Sequence, residues 1–194
     1  AVAPASQITC PSLEETAQRA LAIMGVAIYS ECLLDEKQGV EKAQNFLMDY
    51  IDNNNTQDYF SPREWRYLHD TAPDRKEVLS FLRQYESLYV VEWALGLVEE
   101  LGFPDHPCNP ADLVKSLRNG TSISKIMAKS RPKSPRELLD ACDLISCLEW
   151  SCINARRHEL PEPAGMKTGV VREWHKALNW LTGHGQWDEV RANS

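Results

Sequence analysis

Five histidines and six cysteines are the residues with which this chain could hold a metal or present a thiol nucleophile, and their spacing supports neither. His69, His106, His158, His175 and His184 show no ligand-like interval, and the cysteines include no CxxC pair. Cys142, Cys147 and Cys152 recur every five residues on one expected helix, so successive thiols turn by about 140° and cannot converge on one ion. With Cys10, Cys32 and Cys108 they read as reduced structural thiols, and no metal or cofactor is expected. A nucleophile elbow, HExxH, P-loop and GxGxxG are all missing, which leaves no catalytic residue to name.

Polar side chains set into apolar surroundings are the next source of chemistry. Arg19 stands immediately before the apolar run Ala20 to Tyr29, so its charge needs a carboxylate inside the fold, Glu86 or another. A buried pair of this kind either fixes the packing or lines a cleft. Arg19, Glu86, Trp93, Asn179 and Trp180 form the candidate cleft. The bland alternative is core packing: Trp93, Trp150, Trp174 and Trp180 lie at helical spacing with other apolar residues, and the Asn179 amide can bond to a helix end.

Charge supplies a partner signal. Lys115, Arg118, Lys125, Lys129, Arg131, Lys133 and Arg136 fall in a stretch without one acidic residue, whereas the chain as a whole carries −7. The segment 115–136 is therefore a candidate docking face for an unknown anionic protein partner or a second subunit, against the plainer reading of a solvated face. Nucleic acid is disfavoured by the overall sign and by the lack of aromatic residues in the segment.

These residues must be positioned by helices. Ser12 with Glu15, Ser61-Pro62-Arg63-Glu64 and Ser134-Pro135-Arg136-Glu137 are helix starts in which the serine and glutamate bond reciprocally to exposed backbone amides. Periodicity predicts helices over 13–34, 40–51, 62–69, 74–101, 110–119, 122–129, 135–158 and 169–181, and no alternating strand pattern occurs. Gly96 sits inside the longest of them and predicts a close approach by a neighbouring backbone. Gly183-His184-Gly185 ends the last helix and leaves Trp187 free to fold back onto the core. Glu-Trp recurs at 64–65, 92–93, 149–150 and 173–174 without wider similarity around the pairs. The expected fold is all-α, a single-domain bundle of about seven to eight helices over 12–194 with no significant sheet, preceded by a flexible arm at 1–11.

Five stretches resemble, in order, a widespread bacterial family built on a domain of unknown function, number 4272. They are SLEETAQRALAIMGVAIY from Ser12, SPREWRYL from Ser61, ESLYVVEWALGL from Glu86, FPDHPC from Phe103 and VVREWHKALNWLTGHGQWDEV from Val170. Trp-Ala-Leu-Gly-Leu at 93–97 and Ala-Leu-Asn-Trp-Leu-Thr at 177–182 are the most specific pieces. The resemblance implies a helical fold and a bacterial origin and carries no reaction. Glu92 departs from it, standing where an apolar residue is expected before the tryptophan.

Two functions stay open on these grounds: a non-enzymatic interaction or accessory protein, and a small-molecule-binding or enzymatic domain with a cleft between core helices. The longest uncharged apolar run, Ala20 to Ser30, is too short to span a bilayer. A cytoplasmic location is expected, with a periplasmic or secreted one as the alternative, because AVAPAS has the small-residue character of a mature secreted N-terminus.

Overall fold

Three serines start three helices in the way their sequence context predicts. The Ser12, Ser61 and Ser134 hydroxyls each accept from the amide three residues on, and Glu15, Glu64 and Glu137 each return a carboxylate oxygen to the serine amide. In the computed structural model, which describes residues 9–35, 37, 39–118 and 122–191, these helices belong to an all-α fold with no strand among the described residues. In chain order α1 spans Leu13–Leu33, α2 Gly39–Asn54, α3 Pro62–Leu68, α4 Arg75–Leu82 and α5 Gln84–Ala94. They are followed by α6 Pro110–Arg118, α7 Ile123–Lys129, α8 Pro135–Arg157 and α9 Thr168–Leu181, with 3-10 turns at Gln57–Tyr59 and Pro163–Gly165.

The hydrophobic centre is α1, which is apolar all round from Ala20 to Ala27 and packs against α2, α4, α5 and α7. A second apolar cluster lies where α5 and α8 meet α9, built on Val90, Ile145, Val171, Trp174 and Leu178. Partly buried Tyr89, Val98 and Trp180 touch both clusters, so the two halves share one interior.

The expected continuous helix over 74–101 is a pair. A break at Arg83 separates α4 from α5, and α5 ends at Ala94. The end at Ala94 is set by the segment Arg131–Lys133, whose amides at Arg131 and Lys133 donate to the Leu95 and Ala94 carbonyls at 2.8 and 2.9 Å. The close approach predicted at Gly96 is real, but it ends the helix: Gly96 has φ +73°, and a Cβ there would collide with the Arg131 carbonyl. The asparagine run expected to stop α2 at Ile51 stops it only at Asn54, the Asn54 amide side chain bonding back to the Tyr50 carbonyl.

Trp187 folds back as expected and is buried. Gly183, with φ +80°, makes the turn, and a Cβ on it would lie 2.6 Å from the Thr9 carbonyl oxygen. The chain at 9–11 thus lies against the turn after α9. The rest of the expected arm, residues 1–8, is outside the described residues, as are Asn119, Gly120 and Thr121. Trp150, expected in the core, is 66% exposed.

Candidate functional site

Arg19 finds its carboxylate on α3. Its Nη2 donates to Glu64 Oε2 at 2.8 Å and to the Tyr59 carbonyl at 2.7 Å, with the guanidinium 5% and Glu64 0% exposed as residues. Glu64 holds this pair because it is also the third residue of α3. The oxygen that receives Arg19 also accepts from the Ser61 amide at 2.8 Å, and its other oxygen accepts from Trp187 Nε1 at 3.0 Å. Above them the Trp187 ring carries two cations, Arg19 at 5.0 Å and Lys176 at 4.4 Å from its centroid. Burial is the main cause that pulls the Lys176 ammonium below its usual pKa range. Asp188 ties the last segment to α3, accepting from the Ser61 hydroxyl at 2.6 Å and from the Arg63 amide at 2.9 Å.

This network floors a cavity of about 690 Å³. Its walls are Thr9 to Pro11, the first turns of α1 with Glu15, Gln18 and Arg19, the loop from Asp58 to Pro62, Trp180, and the chain from Gly185 to Glu189. Trp180 and Trp187 meet edge to face with centroids 5.7 Å apart and form the aromatic side. Charge around the opening is one-sided: among the described residues Glu15, Asp58, Asp188 and Glu189 are exposed lining carboxylates, whereas the only lining cation, Arg19, is already matched by Glu64. The Glu15 carboxyl is held below its ordinary range by the Ser12 amide and hydroxyl, so the negative charge at that wall is retained in mildly acidic solution.

Of the five residues proposed as a cleft, Arg19 and Trp180 share this cavity. Glu86 instead accepts from the Cys108 amide at 2.8 Å and from Trp174 Nε1 at 3.0 Å. Trp93 packs beneath the Lys133 ammonium, 5.4 Å from its ring centroid. Asn179 bonds within the core, its Nδ2 to the Arg191 carbonyl at 2.9 Å and its oxygen to the Cys142 thiol at 3.4 Å.

The basic segment is divided among several elements. Lys115 is exposed on α6, and Lys125 and Lys129 are exposed on α7, while the Arg118 side chain is outside the described residues. Arg131 donates to the Ser130 carbonyl, Lys133 reaches the Glu99 carbonyl at 3.4 Å, and Arg136 lies 3.9 Å from Asp140 at the start of α8.

Sequence reasoning missed the inward glutamates of the Glu-Trp pairs. Glu64, Glu92 and Glu149 are all essentially without solvent contact. Glu149 is bound by His175 Nδ1 at 2.5 Å and by Arg172 Nε at 3.4 Å. Glu92 receives one donor, the Ser116 hydroxyl, while its Oε1 has no partner, and burial pushes its carboxyl up to about 8. Burial and then the Glu86 carboxylate push the nearby Cys108 thiol upward, so it is no thiolate at neutral pH. The available signal was the pair itself, since a glutamate next to a tryptophan lies about 100° from it on a helix and the two cannot both face the same way.

Helices packed around a buried central helix, with a cavity roofed by the chain after the last helix, define a single-domain all-α protein. Among the described residues no three His, Cys, Asp or Glu side chains converge as a metal site, and no helix is long and apolar enough to cross a membrane. The chain belongs to the family of the domain of unknown function DUF4272, whose family model matches residues 1–190. No curated protein and no solved structure matches it.

Proposed function

We propose that this is a non-enzymatic binding module whose cavity between α1, α3 and the chain after α9 takes the cationic group of a small amine or guanidine. The observation that carries the reading is the unequal charge of the cavity: among the described residues four exposed carboxylates stand around two tryptophans, with the one lining guanidinium already neutralised by Glu64. A cation entering there gains carboxylates at the rim and an indole surface, which the chain's own Arg19 and Lys176 already use at Trp187. The volume lies within the range of small-molecule sites, about 300–1,000 Å³. Six free cysteines support residence in a reducing compartment, which we take to be a bacterial cytoplasm.

A thermal-shift titration with agmatine, spermidine and choline, set against acetate and glucose, tests the reading. The amines raise Tm saturably, since a ligand at 100 times its Kd stabilises by about 2.7 kcal/mol. The double variant Asp58→Asn/Glu189→Gln keeps the unliganded Tm and loses at least tenfold in amine affinity. Equal shifts from the neutral and anionic compounds, or undiminished amine binding by the double variant, would overturn it.

A further inference from the structure

Glu92 on α5 is fully buried, and its Oε2 meets the Ser116 hydroxyl of α6 while Oε1 has no partner. The same hydroxyl lies 2.9 Å from the Leu113 carbonyl, and its single hydrogen can serve one acceptor or the other. With a proton on Oε2 both needs are met: the carboxyl donates to Ser116 Oγ, and Ser116 donates to Leu113. Without that proton the hydroxyl hydrogen has to turn to a carboxylate whose other oxygen is empty. Among the described residues no cation answers the charge. On α1 Arg19 is paired with Glu64 and Glu31 accepts from Tyr85, and on α9 Glu173 accepts from Ser87 while Lys176 lies over Trp187. Lys76 of α4 and Asp112 and Lys115 of α6 are exposed, and Lys133 lies over Trp93. Ahead of α6 stand the Cys108 thiol and Glu86, whose oxygens are taken by the Cys108 amide and Trp174.

We propose that α6 is a proton-controlled flap: it docks on α5 while Glu92 carries its proton, and loss of that proton favours its release from the rest of the fold. The helix is suited to opening by itself. It packs chiefly against α5, through the buried Leu113 and Leu117, and it spans only Pro110–Arg118. A helix that short is marginal in water, so α6 keeps its form by being docked. Released, the Glu92 carboxyl meets water and returns to its ordinary 4.5; docked, burial pushes it up to about 8, with the Ser116 hydroxyl opposing the shift. Across this window the docked form holds a proton that the open form gives to solvent. Opening therefore becomes easier as pH rises from about 4.5 to 8 and stops changing above it.

Native-state hydrogen exchange on the full chain tests this, read by mass spectrometry over 111–118 and over α1 as pH and urea are varied, with each rate corrected for intrinsic exchange. Residues 111–118 are expected to exchange through an opening that needs less free energy than the one exposing α1 and responds less to urea. In wild type its opening constant rises about tenfold per pH unit between pH 5 and 8 and levels off above. Glu92→Gln keeps the shape of the side chain without its titration, and there the constant stays flat. Glu92→Leu, with an apolar side chain in the same place, also gives a flat profile and decides the matter should the glutamine variant not fold. Exchange of 111–118 that matches α1 in free energy and urea response, a wild-type opening constant indifferent to pH, or the same rise in the variants overturns the proposal.

Discussion

Arg19 on α1 and Glu64 on α3 are joined at 2.8 Å with their side chains 6% and 1% exposed, so a full ion pair sits beneath the candidate cavity. Removing one partner leaves the other charge buried and unmatched, at a cost of about 3–5 kcal/mol. Arg19→Met is expected to lower stability by about that much in urea unfolding. Arg19→Met combined with Glu64→Gln should cost clearly less than the two single changes summed, because the second change removes the stranded charge. A loss of less than about 1 kcal/mol in Arg19→Met would show that the pair is not what fixes α3 against α1.

Glu92 makes the stability depend on pH in an unusual direction. Its carboxyl is raised from an ordinary value of 4.5 to about 8, chiefly by burial, with the Ser116 hydroxyl opposing the shift. Below 4.5 the group is protonated in the folded and unfolded chains alike and costs nothing. Between 4.5 and 8 the unfolded chain releases the proton and the folded chain keeps it, so stability falls as pH rises, by roughly 5 kcal/mol across the window. Above about 8 the loss is complete. Unfolding measured at pH 5 and pH 8 should show this fall in wild type and a much smaller one in Glu92→Gln; equal falls in both proteins would refute the assignment.

Helix starts were readable because a capping box is local: Ser12, Ser61 and Ser134 needed only the glutamate three residues on. The end of α5 was not, because it depends on Arg131, which arrives from 36 residues further along the chain and bonds to Leu95. The outward turn of Trp150 was legible in principle. Leu138, Cys142, Ile145, Glu149 and Cys152 form a buried stripe at alternating steps of four and three, and Trp150 lies off it. Ranking residues by apolarity placed the tryptophan inside, whereas Glu149 takes the inward position because His175 and Arg172 meet its charge. For the cavity, Arg19 and Trp180 were found from sequence. Asp188 and Glu64 were not, since nothing local couples Asp188 to Ser61 across 127 residues or Trp187 to Glu64 across 123.

Two glycines should respond oppositely to alanine. Gly96 combines φ +73° with the Arg131 carbonyl against its α-carbon, so Gly96→Ala adds backbone strain to a steric clash and should cost more than about 1 kcal/mol. Gly169 lies in the first turn of α9 with no atom within 4 Å of a built Cβ. There alanine should raise stability by about 0.5–1 kcal/mol through helix propensity alone. Thermal unfolding of both variants distinguishes them, and a neutral Gly96→Ala would remove the explanation given for where α5 stops.

Asp188 links the fold to the proposed binding role, because its carboxylate both caps α3 and holds one wall of the cavity. Its two bonds, to the Ser61 hydroxyl and the Arg63 amide, end on groups that α3 cannot satisfy internally. Asp188→Ala should therefore cost about 1 kcal/mol, the usual value of a helix cap. Its more specific effect is local. With the tie gone, the segment carrying Asp188 and Glu189 loses its attachment to α3, while Trp187 stays bonded to Glu64. Amide hydrogen exchange should then quicken at Arg63 and across 185–189 and stay unchanged along α1 and α5. Uniform acceleration over the whole chain would mean that Asp188 contributes only to global stability and that the wall of the cavity is held by something else.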